Sequence, residues 1–318
     1  MSFNILDIVQ RHNYEMNFSF RRLANTIIKN SELDITLLRI NNVTEDSFCV
    51  SIDVRITKTG LISACMSPMT VDLCGPFGQW GELELPAIRT EHSGVEVTVA
   101  RQLVTIVDKE ALKDFIQTLI GDWSVILTLC NGHTSISAMR WGPRDVVFEK
   151  EVEVTGMQGP VVRLQAATVN LEELGDITPK NPPQILSVVV RVQNPSPLEI
   201  SFGTCSFDIR LHDGEKLAEV KGRLDIRRGN FEFRAQGRMD LRVAAKLLTK
   251  RLDGFVDEDK PVHDVRLVGR RCASVGWCDD TIKSINVPLD DTALLARIIE
   301  METEWGPGGP VVLPRQRG

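Results

Sequence analysis

The chain can be laid against itself at an offset of 136 residues. At that offset Arg55 meets Arg191, Asp72 meets Asp208, Gly78 meets Gly214 and Trp141 meets Trp277. The surrounding patterns keep the same order: SIDVRI parallels VVVRV, MTVDLC parallels CSFDIR, and the run over 95–107 parallels NFEFRAQGRMDLRV. A strand, strand, helix, strand order repeated at one offset predicts a tandem domain. It divides the 318 residues into an N-terminal helical segment (1–32), a first β-rich domain (33–156), a GMQGP linker at 156–160 and a second domain (160–290). A C-terminal helix (291–305) and a mobile tail (306–318) follow. A length about twice that of a typical domain agrees with two copies.

Hydrophobic periodicity fills in the elements. After Ser19, Phe20, Leu23, Ala24, Ile27 and Ile28 follow helical spacing. From Leu33 the period becomes that of strands, with candidates at 33–40, 46–57, 69–74, 82–88 and 95–107. In the last of these Val95, Val97 and Val99 alternate with polar partners, as in a half-buried sheet. Asp108 is placed to cap a helix, KEALKDFIQTLI, with Gly121 as its stop. Strands resume at 123–130 and 135–141, with Asn131-Gly132 read as the turn between them. The matching helix of the second copy is VAAKLLTKRL, and Leu294, Leu295, Ile298 and Ile299 form the apolar face of the C-terminal helix.

One strand is interrupted: RVQNPSPLEISFG, 191–203, stops at Asn194-Pro195-Ser196-Pro197 and then resumes. A proline in a central strand removes a ladder donor, so this segment belongs at an edge or a crossover. The residue before proline is held extended, which makes the link stiff. Short alternating strands on both sides predict a mainly β chain of two tandem antiparallel β-sandwiches, each with one helix, plus the terminal helices. The stretch VVVRVQNPSPLEISFGTCSFDIRLHDGEKLAEVKG, with the later Gly229-Asn230 turn and the FEFRAQGRM strand, resembles the late embryogenesis abundant type-two domain, in particular fungal tandem forms formerly of unknown function. The resemblance covers 160–290 well; in the first copy Lys58-Thr59-Gly60-Leu61 stands where the Asn-Pro-Ser-Pro run would be. It implies an immunoglobulin-like or fibronectin-like sandwich with a helix over one open end. It also implies a link to stress protection or apolar-ligand binding, often with a membrane tether.

Composition removes several function classes. A net charge of −6 and a pI near 5.5 offer no cationic track for nucleic acid. The N-terminal sequence MSFNILDIVQRHNYEMNF carries charges throughout and reads as neither signal peptide nor integral membrane segment. Seven cysteines at 49, 65, 74, 130, 205, 272 and 278 contain no CxxC pair, so no metal and no cofactor is expected, and reduced thiols fit a cytoplasmic protein.

The repeat also sorts residues. Trp141 and Trp277 match and are expected in the core, whereas His92, His133, His212 and His263 meet Arg228, Gly269, Pro76 and Leu127. The tip CGPFGQWG, 74–81, stands where the second copy has only HDGE. Cys74, Phe77 and Trp80 on such a loop would lid an apolar pocket; the plainer reading is a hairpin whose aromatics pack back on their own sheet. For acid–base work the candidates are His133, beside Cys130 across the expected turn, then His92, with Asp122 or Asp213 as orienting carboxylate. The plainer reading of both histidines is a solvated turn.

Three functions follow. One is an enzyme of fungal secondary metabolism that hydrolyses a polyketide-like acyl substrate or closes it to a lactone or α-pyrone, the substrate delivered by a polyketide synthase. Another is a non-catalytic carrier of a lipid or other apolar molecule. A third is a stress-type stabilising scaffold. A cavity lined by convergent His, Asp and aromatic groups favours the first, a purely apolar cavity the second, and filled domains the third.

Overall fold

A computed structural model of the protein describes residues 26, 28–58, 63–90, 95–138, 141–169, 186–211, 213–240, 242–243 and 265–290. Of these, 69% lie in strands, with few helices, so the protein is mainly β and contains a β-barrel. Contacts divide the chain into two compact units: residues 1–156 with 197–199, and residues 157–196 with 200–318.

Unit one contains β1 (Glu32–Asn41), β2 (Ser47–Thr57), β3 (Ala64–Met66), β4 (Met69–Gly75), β5 (Gly78–Leu85), β6 (Ile88–Thr90) and β7 (Val95–Ile106). Helix α1 (Lys109–Gly121), β8 (Ser124–Ala138) and β9 (Trp141–Thr155) follow. The hydrogen-bonded order is β1-β2-β7-β5-β4-β8, with β9 on the other side of β8 and β3 then β6 paired beyond β4 along β8. β9 also lies against β1, with no ladder between the described residues of the two. Asp108 caps α1 by accepting from the N–H groups of Glu110 and Ala111 at 2.9 and 3.1 Å. Leu112, Phe115, Ile116 and Leu119 are buried on the side facing β4, β5 and β8. Helix α1 ends at an extended Asp122, whose N–H bonds to the Thr118 carbonyl at 2.8 Å. Gly121 is not in the left-handed conformation expected of a glycine stop.

Two local expectations are corrected. Asn131-Gly132 is not a hairpin turn: β8 runs through it for 15 residues and absorbs the extra residue as a bulge, with Asn131 at φ 56°. Gly132 is needed there because a Cβ would lie 2.9 Å from Met69 Sδ. The 74–81 loop is not long either: Gly75 pairs with Gly78 at φ +122°, leaving a tip of Pro76 and Phe77.

Unit two contains β10 (Val161–Val169), β11 (Leu186–Asn194), β12 (Leu198–Arg210), β13 (Lys216–Ile226), β14 (Gly229–Met239), β15 (Arg266–Cys272), α2 (Gly276–Ser284) and β16 (Asn286–Asp290). Its ladder runs β10-β11-β14-β13-β12-β15-β16 and closes through a parallel pair, Val162 with Leu289 and Arg163 with Asp290. A closed ring leaves no edge strand.

The break between β11 and β12 has a side-chain cause. Asn194 Nδ2 donates to the Arg227 carbonyl at 2.9 Å, while its Oδ1 accepts from the N–H and hydroxyl of Ser196 at 2.9 and 2.7 Å. This Asx turn holds the chain between the two prolines. Residues 197–199 then cluster with unit one, where the Pro197 carbonyl accepts from Leu38 N–H at 2.9 Å and Glu199 accepts from Arg39 Nε at 2.7 Å.

Trp277 is buried, as expected, and lies on helix α2, whereas its partner at the 136 offset, Trp141, opens strand β9. The sequence expectations for 1–25, the VAAKLLTKRL helix beyond Val243, the C-terminal helix and the tail lie outside the described residues.

Candidate functional site

The interior of unit one is not filled. A cavity of about 190 Å³ runs between the inner faces of its strands. Leu112, Phe115 and Ile116 of α1 line it, as do Phe48 and Trp80, and its wall also includes Ala64, Met66, Ile136 and Ala138. Alternation produces this wall: Phe48, Val50, Ile52, Val54 and Ile56 on β2, and Val97 and Val99 on β7, all line it at a spacing of two. None of the described lining residues is ionisable.

Three lining residues carry polar side-chain atoms, and two of these are satisfied locally. Ser31 Oγ donates to the Ile28 carbonyl at 2.7 Å, and Thr90 Oγ1 accepts from Ala64 N–H at 3.1 Å. The third is Trp80. Its ring is stacked between Phe115, at a centroid distance of 5.1 Å, and Phe48, at 6.3 Å. Only 5% of the residue is exposed, and its indole Nε1 is buried with no hydrogen-bond partner among the described residues.

Beside the wall, Lys150 on β9 donates its ammonium to the carbonyls of Ile28, Lys29 and Ser31, the first two at 3.0 and 3.1 Å. These bonds gather the carbonyls of the helical Ile28 and Lys29 and of Ser31 just beyond the helical residues, a favourable place for a cation. Burial lowers the Lys150 pKa below its ordinary value, against the pull of the Glu32 carboxylate. Ile28 packs beside Ile136 and Val146 and also lines the cavity, so Lys150 holds a piece of the wall in place.

The candidates named from sequence fall differently. Trp80 is not displayed on a tip: it belongs to β5 and points inward, because the hairpin is shorter than its glycines suggest. Phe77 does sit at the tip, 63% exposed, away from the cavity wall. Cys74 is also absent from that wall; its sulfur lies 3.1 Å from that of Cys130, and burial, with the hydrogen bond to Cys130, pushes its pKa up to about 12. A thiol held protonated in this way is a poor nucleophile.

His133 is exposed on β8 opposite Val147, since the bulge replaces the turn that would have faced it toward Cys130. Asp122 is exposed after α1. Asp213 is exposed in the β12–β13 turn, where its carboxylate accepts from Glu215 N–H at 3.0 Å. None of the three lines the cavity, and Asp213 belongs to the other unit. His92 lies outside the described residues. Among the described residues no three His, Cys, Asp or Glu side chains are grouped to hold a metal ion, and no helix is long and apolar enough to cross a membrane. Sequence reasoning missed Phe48, Phe115 and Lys150; the inward alternation of β2 and the apolar face of α1 were the available signals for the first two.

Residues 78–209 match a family described as a protein of unknown function (DUF3712). The matched stretch begins in β5 and ends in β12, so it spans parts of both units. Comparison with curated proteins finds no match. Among solved structures, a Salmonella enterica SafA pilin in complex with the SafB chaperone is similar at 9% identity over 65% of this chain and 95% of that one, with a TM-score of 0.16. A likeness that slight carries no argument.

Proposed function

We propose that unit one is a carrier of an apolar small molecule, held without chemical change inside its strands. The observation that carries this reading is the cavity itself: about 190 Å³, with described lining residues that are aliphatic or aromatic apart from Ser31 and Thr90, none of them ionisable. At roughly 24 cal/mol per Å³, leaving such a volume empty forgoes about 4–5 kcal/mol of packing. That is a large part of the ~5–15 kcal/mol that keeps a domain folded. An apolar occupant recovers those contacts, and apolar cavities of similar size take up apolar guests rather than water.

Hydrolysis or lactone closure of a polyketide-like acyl substrate needs a base within hydrogen-bond reach of the reacting atoms. The described residues of the cavity wall supply none, which favours the carrier reading over the enzyme. The late embryogenesis abundant type-two fold is our reading of both units, each a flattened two-layer sandwich derived from one duplicated domain. What supports it is the shared strand order: β1-β2-β7-β5-β4-β8 with β9 beside β8, and β10-β11-β14-β13-β12-β15-β16.

The test is uptake of the neutral probe N-phenyl-1-naphthylamine, followed by fluorescence, by the wild type and by Val54→Phe, whose larger ring enters the cavity. Saturable binding at one site, lost in the variant, is expected. Absence of saturable binding, or binding that Val54→Phe leaves unchanged, would remove the reading.

A further inference from the structure

Trp80 is the one lining residue whose polar atom has no partner among the described residues. An indole N–H only donates, so what it lacks is an acceptor. Buried donors in folded proteins are nearly always paired, and one left unpaired opposes folding. Ser31 and Thr90, the other polar lining residues, are already bonded to main-chain groups of their own neighbourhoods and compete for nothing. The stack on Phe48 and Phe115 fixes the orientation of the indole, so the donor is held in place rather than free to turn toward another group.

From this we infer that the cavity's occupant is an uncharged chain bearing one hydrogen-bond-accepting oxygen, as in a ketone or an ester, and that Trp80 recognises that oxygen. The inference rests on the carrier reading and adds the ligand class. The charge state follows from the wall: a carboxylate or ammonium head would meet no counter-ion among the described lining residues and would carry an uncompensated desolvation penalty. The acceptor follows from the indole. A plain hydrocarbon fits the apolar wall but leaves the Trp80 donor unpaired, so it binds more weakly than its carbonyl analogue relative to their transfer from water.

The experiment compares nonane with 2-nonanone, each partitioned between headspace and protein solution, for wild type and Trp80→Phe. The substitution keeps an aromatic ring between Phe48 and Phe115 and deletes the N–H. Expected is a loss of about 3- to 10-fold in ketone affinity, the worth of one net hydrogen bond, beyond any change seen for nonane. A second reading leaves the chain native: in protein labelled with ¹⁵N-tryptophan, the Trp80 indole proton should move downfield with 2-nonanone and not with nonane. Equal effects of Trp80→Phe on both probes, or an indole resonance indifferent to the ketone, overturn the inference while leaving the carrier reading intact. If neither probe binds the wild type, the carrier reading fails and takes the inference with it.

Discussion

The two units order their strands alike and use their interiors differently. In unit two the ring closes through the parallel β10–β16 pair, β13 and β14 approach so tightly that a Cβ on Gly237 would lie 1.8 Å from the Glu219 carbonyl oxygen, and helix α2 lies so close to β15 that one on Gly269 would be 1.8 Å from the Ile282 carbonyl oxygen. Phe207 and Phe233 meet edge to face at 5.3 Å, each 2% exposed. In unit one β1 and β9 lie together without a ladder, three aromatic rings stack near α1, and about 190 Å³ stays open. Strand order therefore does not decide where such a domain leaves space: in unit one it lies between the inner faces of the strands and is apolar, whereas in unit two it is an open groove with polar and charged lining residues such as Thr204, Ser206, Lys216 and Arg271.

The sharpest way to break this contrast is to hollow the packed core of unit two around Phe207 and Phe233. Phe207→Ala should destabilise unit two by about 3–5 kcal/mol, because the surrounding strands cannot collapse into the space left behind. Chemical denaturation followed by circular dichroism reads the loss. A cost below about 1 kcal/mol would mean that unit two is loosely packed and the contrast false.

The reverse operation uses two positions related by the 136-residue offset, Val54 on β2 and Val190 on β11. Val54 lines the cavity, whereas Val190 is 1% exposed, paired with Leu164 and Phe233. Val190→Phe should cost about 1–3 kcal/mol by overpacking. Val54→Phe should stay within about 0.5 kcal/mol of wild type while abolishing probe uptake. Equal costs at the two positions would show that unit one has no room to receive a ring.

How much of this was legible beforehand differs by level. Alternation in β2 and β7, the Asp108 cap and the apolar face of α1 are local, and each is where its residues predict. Asn131-Gly132 misleads because the same left-handed residue serves a hairpin turn or a bulge, and only the β9 partner strand decides between them. Trp80 follows the plainer of its two readings, a hairpin whose aromatic packs back, because Gly75 and Gly78 close a tight hairpin and return the indole to the core; only the display on a long loop, suggested by the glycines around it, fails. A cavity is the volume that many side chains fail to fill together, so no single motif announces it. Lys150 is invisible for a related reason, since its partners are main-chain carbonyls more than a hundred residues away.

That lysine gives a smaller test of the hollow unit. Lys150→Met should loosen residues 28–31 and cost about 1 kcal/mol, because burial offsets much of what the charged hydrogen bonds contribute. The sign with pH is defined. The folded-state pKa lies below the ordinary 10.5, so in the interval between them the unfolded chain binds more protons than the folded one. Stability of the wild type relative to Lys150→Met should therefore rise as pH climbs toward 10.5, and a fall in that interval would contradict the burial argument. Faster escape of bound probe from the variant, by stopped-flow dilution, would show that the clasp restrains the occupant.

The smallest effect separates two ways of ending α1. If Gly121 were the left-handed stop its position suggests, alanine there would be strained and would destabilise the unit. Instead its backbone stays out of that region, a Cβ would meet nothing within 4 Å, and the extended Asp122 ends the helix. Gly121→Ala should then stabilise unit one by about 0.4–1 kcal/mol, by reducing the freedom of the unfolded chain. Gly156 nearby is the control: a Cβ on it would lie 2.2 Å from the Asp122 carbonyl oxygen, so Gly156→Ala should destabilise where Gly121→Ala helps. A rise in midpoint for the first and a fall for the second would place the tight packing of unit one at the α1–Asp122 corner, outside the wall that encloses its cavity.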